Sequence, residues 1–218
     1  MQSLTRHMLI TAVLLAAFAF AGTALVAGMH DATEERIAEN ERATLLRTLN
    51  AIVPRKLYNN DITNDIKLVT SREWLGSKKP ITAYRARRDG QPVAVVLTPF
   101  ATEGYNGAIH LLVAIRLDGA LLGVRVLSHQ ETPGLGDAID ISRTSWVTAF
   151  DGRSLTNPDE LGWHVVKDGG IFDQFTGATI SPRAVVKAVH RTLIYYSKHR
   201  NELFSVNDGA KPSGGSHG

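Results

Sequence analysis

The run AIHLLVAIRLDGALLGVRVLS, residues 108–128, reads as two apolar strands joined at Asp118-Gly119. Asp-Gly between apolar runs is a strong hairpin signal, because both residues tolerate the positive φ of a two-residue turn. Ile109, Leu111, Val113, Ile115 and Leu117 alternate onto one face of the pleat, with His110, Ala114 and Arg116 on the other. That alternation predicts a sheet with one face on a core. A second hairpin precedes it, with Ile81 to Arg88 and Pro92 to Thr98 flanking Asp89-Gly90.

Helices are expected on both sides of this sheet in the sequence. Downstream, Ser181-Pro182 opens a helix to about His199, since Ser suits the cap and Pro the first turn. Val185, Val186, Val189, Leu193 and Tyr196 form its buried stripe. Upstream, Ile37, Leu45, Leu49 and Ile52 recur at near-helical spacing from about Glu34 to Val53, and Pro54 ends that helix. The polar stretch to Lys79 is pinned by Trp74 and Leu75. Glu131 to Asp137 is a glycine-bearing loop, and Trp146–Phe150 and Gly162–Val166 read as further short strands. The expected class is α+β.

Met8 to Met29 contains no charged residue. Its 22 residues span roughly 33 Å as a helix, enough for a bilayer core. Arg6 and His7 precede it, and Asp31, Glu34 and Glu35 follow, so the N-terminus is expected inside and the rest outside. A cleaved signal peptide is the competing reading, with Ala19-Phe20-Ala21 as its cleavage site. Against it, the apolar run is longer than a usual signal core and continues through Leu25 and Val26.

Composition narrows the chemistry. The 218 residues contain no cysteine, which removes disulfides, thiolate catalysis, cysteine-ligated iron–sulfur clusters and c-type haem attachment. The net charge of +3, with acids and bases interleaved, is not the footprint of a nucleic-acid binder. His110, His129, His164 and Glu131 show no metal-ligand spacing, and no nucleophile-elbow motif is present. No catalytic residue and no metal ligand is therefore assigned.

The most informative segment is Asp173-Gln174-Phe175-Thr176-Gly177-Ala178-Thr179, running into Ile180-Ser181-Pro182-Arg183. A small-residue loop entering a helix N-terminus offers unpaired N–H groups and partial positive charge, a natural phosphate site. Arg183 lies in the first turn, where a cation is disfavoured unless an anion is near. Thr179 offers a hydroxyl, and Gly177 and Ala178 leave room for a bulky group. The same residues also read as a plain turn, a helix start and a solvent-facing arginine. His129-Gln130-Glu131-Thr132-Pro133-Gly134-Leu135-Gly136 is a second candidate, since its glycines and proline let backbone approach a flat ring.

The first segment resembles the flavinylation motif: Asp, two variable residues, Ser or Thr, then Gly-Ala-Thr. In proteins with that motif a flavin transferase takes FAD and joins FMN to the last threonine through a phosphoester. The resemblance implies covalent FMN on Thr179, with Thr176, Gly177, Ala178, Ser181 and Arg183 at the cofactor and Asp173 in transferase recognition. The second segment resembles the loop of FMN-binding domains that lies against the flavin, which implies cofactor contacts from Glu131, Thr132, Gly134, Leu135 and Gly136. Gly104-Tyr105-Asn106-Gly107 also fits that pattern.

With one anchor and about 200 residues, the chain resembles the G-subunit family of Rnf ion-translocating electron transport complexes. That implies an electron-carrying flavoprotein subunit of a ferredoxin- or NAD-linked translocase in the bacterial inner membrane, incomplete as an enzyme alone. Its partners would be the A, B, C, D and E subunits, a flavin transferase during maturation, and membrane lipid. The C subunit of the sodium-pumping NADH:quinone reductase shares the motif and is the runner-up; an extracytoplasmic redox-sensing or maturation module is a third reading. The expected organisation is a cytoplasmic N-terminus (1–7), a transmembrane helix (8–29), a connecting helix and linker (30–79), one FMN-binding domain (80–204) and a disordered tail (205–218).

Overall fold

The computed structural model describes residues 2–205. The side chains of residues 2–6, Leu9, Leu25 and 27–41 lie outside that description, as does the expected tail from residue 206. The chain divides into two compact units, Met1–Arg47 and a second beginning at Thr48. Helix α1, Gln2–Ile52, contains both helices expected upstream of Pro54. Every described side chain from Met8 to Val26 is exposed, including Val13, Leu14, Phe18 and Phe20. Among the described residues, no helix is long and apolar enough to cross a membrane. The expected span includes Leu9, Leu25 and Ala27 to Met29, whose side chains fall outside that description.

The second unit is built on an antiparallel sheet. Its strands are β1 (Ile66–Ser71), β2 (Ser77–Arg88), β3 (Gln91–Leu97), β4 (Phe100–Ala101), β5 (Ile109–Arg116) and β6 (Leu121–Ser128). The order is β1-β2-β3-β5, and β5 also pairs with β4 and β6. Both expected hairpins form, with Asp89 at φ 50°, Gly90 at 77° and Gly119 at 92° in their turns. Leu111 lies opposite Val126, Val113 opposite Val124, and Ile115 opposite Leu121.

The expectation of one covered face is corrected. Ile109, Leu111, Val113 and Ile115 enter the main core, but Leu112 and Ala114 on the opposite face are equally inaccessible. The end of α1 covers that side: Leu49 and Ile52 of its last turn are buried, as is Val53 just after it. Gly123, beside Ala114, leaves no slack there, since a Cβ on it would stand 3.1 Å from Ile52 Cγ2.

Helix α3, Ile180–Phe204, packs on the main face through Val185, Val189, Leu193 and Tyr196. A one-turn helix α2, Arg72–Leu75, docks beside it, with Leu75 buried and Lys198 Nζ 4.3 Å from the centre of the Trp74 ring. The two short strands expected after the sheet are corrected as well. Trp146–Phe150 is a 3-10 helix, and 162–166 holds a helix end, one isolated bridge and the start of another 3-10 turn. Phe150, Trp163 and Phe172 from these turns stack together, Phe150 and Phe172 at 4.6 Å. Burying each such ring is worth about 2 kcal/mol, so this irregular segment is anchored through its aromatic rings.

Candidate functional site

Three segments meet at the start of α3. The first is the turn that leads into it. Ala178 N–H donates to Phe175 O at 3.1 Å, and Gly177 takes φ 80°. That backbone is cheap only for glycine. The turn is pinned from below by Trp146, whose Nε1 donates to Asp173 O at 2.7 Å and whose ring meets Phe175 edge-on. Thr179 then stands at the N-cap with φ −77° and ψ −24°. Its side chain makes no capping hydrogen bond, so its hydroxyl is left unused at a helix end that keeps free N–H donors. The expected cap, Ser181, instead lies one residue inside the helix.

The second segment follows β6. Leu135 N–H donates to Thr132 O, and Gly136 opens a 3-10 turn, Gly136–Ile139. Gly136 sits where a Cβ would strike Ser181 Oγ at 2.6 Å and Glu131 Oε2 at 2.9 Å. The third segment is 104–107, just before β5. Tyr105 and Asn106 N–H groups both donate to the Glu131 carboxylate, at 3.3 and 3.1 Å. Ser181 Oγ donates to the same carboxylate. Glu131 therefore ties all three segments together while lying almost wholly out of solvent.

Between them lies a cleft of about 320 Å³ lined by Glu131, Thr132, Leu135, Gly136, Gly177, Ala178, Thr179 and Ser181, together with Tyr105 and Ile180. Eight of the residues expected from sequence are thus brought to one cavity. Sequence reasoning misses Ile180 as a contact; Tyr105 belongs to the Gly104–Gly107 segment that the resemblance includes, though not as a named contact. Gly134, at φ 76°, shapes its loop without lining the cleft, and Thr176 and Asp173 are exposed beside it.

Arg183 is corrected. It does not line the cleft; its guanidinium grips Asp168 through Nε and Nη2 at 2.5 and 2.6 Å. The hydrogen bonds from Arg183 hold the Asp168 carboxyl below its usual range. A local carboxylate thus accompanies the cation in the first turn. This pair borders a neighbouring cavity of about 380 Å³ with Trp163, His164 and His190. His190 stacks on Trp163 at 5.2 Å, and burial pushes its pKa down. Among the described residues, no group of three or more His, Asp or Glu side chains is placed to hold a metal ion.

The cleft suits a phosphorylated flat ligand. Its volume falls within the range of roughly 300–1,000 Å³ found for small-molecule sites. Gly136 and Gly177 remove side-chain bulk, Leu135 supplies an apolar wall, and uncapped helix N–H groups supply anion donors. The profile of a family described as an FMN-binding domain matches residues 104–194, the stretch that contributes every wall of this cleft. Residues 104–194, which build the site, thus match an FMN-binding domain. The profile of a second family, described as the RnfG N-terminal region, matches residues 1–52.

Relatives extend the likeness over most of the chain. The G subunit of the ion-translocating oxidoreductase complex of Vibrio cholerae is 48% identical over 191 residues, covering 88% of this chain and 91% of that protein. The G subunit of the same complex in Pseudomonas aeruginosa is 47% identical over 205 residues, covering 94% and 96%. That of Shewanella baltica is 45% identical over 193 residues, covering 88% and 91%. This chain belongs to the family of G subunits of ion-translocating oxidoreductase complexes.

Proposed function

We propose that the protein carries electrons within an Rnf-type ion-translocating oxidoreductase complex through FMN joined to Thr179. The observation that carries this reading is the Thr179 hydroxyl, uncapped at the start of α3 and lining a cleft shaped by Gly136, Gly177 and Leu135. In the attachment step, Thr179 Oγ1 bonds to the flavin-side phosphorus of FAD as the bond to the AMP half breaks. AMP leaves, and the hydroxyl proton passes to solvent. The competing hydroxyl of Ser181 is buried and already donates to Glu131, so the reading assigns the acceptor role to Thr179.

Bound flavin supplies one- and two-electron transfer. The chain's own residues would orient it: Gly177 and Ala178 at the phosphate end, Leu135 and Gly136 along the ring. Asp173, exposed beside the turn, is the proposed recognition point for the transferase.

The proposed location is the bacterial inner membrane, with α1 as a single-pass anchor and the domain outside the cytoplasm. Its support is the charge-free run from Met8 to Met29 and apolar side chains exposed all round the helix, the pattern of a helix that needs an apolar solvent. Covalent attachment then makes physical sense, because binding of a diffusible cofactor falls with its free concentration. The A, B, C, D and E subunits of the Rnf complex are the proposed neighbours; with no charged residue in the span, ion movement would belong to them.

Membrane-purified protein should fluoresce as flavin after denaturation and weigh one FMN minus water more than the bare chain. Thr179→Ala should abolish both signals; flavin surviving denaturation in that variant would refute the site. External protease on spheroplasts should digest the domain and spare a tag before Arg6. Protection of the domain instead would sink the topology.

A further inference from the structure

We infer that Glu131 positions the flavin cleft and that its negative charge lowers the reduction potential of the bound flavin; this rests on the reading that FMN occupies that cleft. Among the described residues lining the cleft, Glu131 is the one acidic or basic side chain. The cavity therefore has a single built-in charge, and its sign is negative.

The site is built around that carboxylate. Oε1 accepts from Asn106 N–H, while Oε2 accepts from Tyr105 N–H and from the Ser181 hydroxyl. All three contacts are donations to oxygen, the pattern an ionised carboxylate satisfies. Gly104 and Gly136 both stand where a Cβ would come within 2.9 Å of one of its oxygens. Both glycines leave it space, although an added Cβ would first meet Gly107 O at 2.2 Å at Gly104 and Ser181 Oγ at 2.6 Å at Gly136.

This geometry separates Glu131 from the phosphate end. A carboxylate has no donor to offer a phosphate, and two anions at short range repel. The phosphate belongs at Thr179 and the helix N–H groups, which leaves Glu131 to act on the ring. Adding electrons to the ring places negative charge there, and a fixed anion nearby opposes it. The three donors offset that field only in part, so the potential is held lower than the same cleft without the charge would give.

The test is redox titration of the flavinylated full-length protein, with flavin loading read by mass. Glu131→Gln keeps the shape and removes the charge, so the midpoint potential should rise. Glu131→Asp keeps the charge, so it should stay closer to wild type in potential even where Tm falls. Ser181→Ala removes one donor from the carboxylate and should shift the potential downward, which provides a readout should the Gln variant fail to fold. A merely structural role would lower Tm in these variants and leave the potential unmoved. Unchanged potentials, or a Gln variant at or below wild type, would overturn the inference. If wild type carries no covalent flavin, the attachment reading fails by itself, and the same titrations with FMN added to Thr179→Ala protein still decide the role of Glu131.

Discussion

The two ends of α3 are built in opposite ways. At its C-terminal end three cations from the sheet take up backbone carbonyls. Lys67 Nζ donates to Glu202 O at 2.5 Å, Arg87 Nη2 to Phe204 O at 3.1 Å and Arg85 Nη1 to Ser205 O at 2.9 Å. Asp65 holds both arginines, at 2.6 and 2.8 Å. Positive charge there agrees with the helix dipole. At the N-terminal end nothing caps the helix, the Ser181 hydroxyl is drawn away to Glu131, and a cation sits on the wrong side of the dipole with Asp168 to neutralise it. One end gathers positive charge from the sheet onto its carbonyls, as the dipole favours. The other departs from the rules of helix termination where a ligand would bind, as functional sites do.

This contrast gives its own tests. The largest effect should come from the clamped end. Arg85 is buried, and Arg85→Ala strips Asp65 of one of its two arginines and the Ser205 carbonyl of its side-chain donor. Urea denaturation should show a loss of about 3 kcal/mol, the usual scale for breaking a buried pair, while the folded fraction still acquires flavin. At the open end, an N-capping threonine is ordinarily worth about 1 kcal/mol. Thr179 makes no cap bond, so Thr179→Ala, for all its effect on the cofactor, should cost less than about 0.5 kcal/mol in the unmodified chain. A full capping loss would show that the hydroxyl is not free and would end the contrast.

The smallest effect concerns Arg183. Arg183→Glu faces Asp168, so Tm should fall equally in the flavinylated protein and in the Thr179→Ala background. A larger fall in the flavinylated protein would return the guanidinium to the phosphate. The hydrogen bonds from Arg183 depress the pKa of Asp168. The stability they lend is therefore present above the ordinary carboxylate range and is lost as pH falls through the depressed value. The variant's deficit should shrink along that same descent.

The sequence discloses those parts of the fold where local chemistry and final structure agree. Asp89-Gly90 and Asp118-Gly119 announce both hairpins, and the stripe from Val185 to Tyr196 marks the face of α3. Strand β1 is hidden because it is an edge: only Val69 of its six residues is buried, so little apolar alternation marks it. Trp146–Phe150 resembles a strand by composition, but Val147 and Phe150 are the buried pair, and a spacing of three belongs to a 3-10 turn. Leu112, on the face that the alternation assigns to His110, Ala114 and Arg116, is fully buried and marks a second covered face. In the cleft, glycines and hydroxyls are legible as a motif. The partner of Arg183 is not, because Asp168 lies fifteen residues away across an irregular loop.

The clamp on the C-terminal end of α3 has a consequence for the time course of folding. Its hydrogen bonds join residues 117, 120 and 135 positions apart. Closing loops of that length is entropically costly, and a topology rich in such contacts reaches its native state slowly. During synthesis, Arg85 and Arg87 emerge long before the carbonyls they will hold. The clamp can therefore close only once the last helix has been made. Thr179 gains its final setting only when that helix docks, so an enzyme that reads the docked turn would meet its substrate only after the rest of the domain has formed.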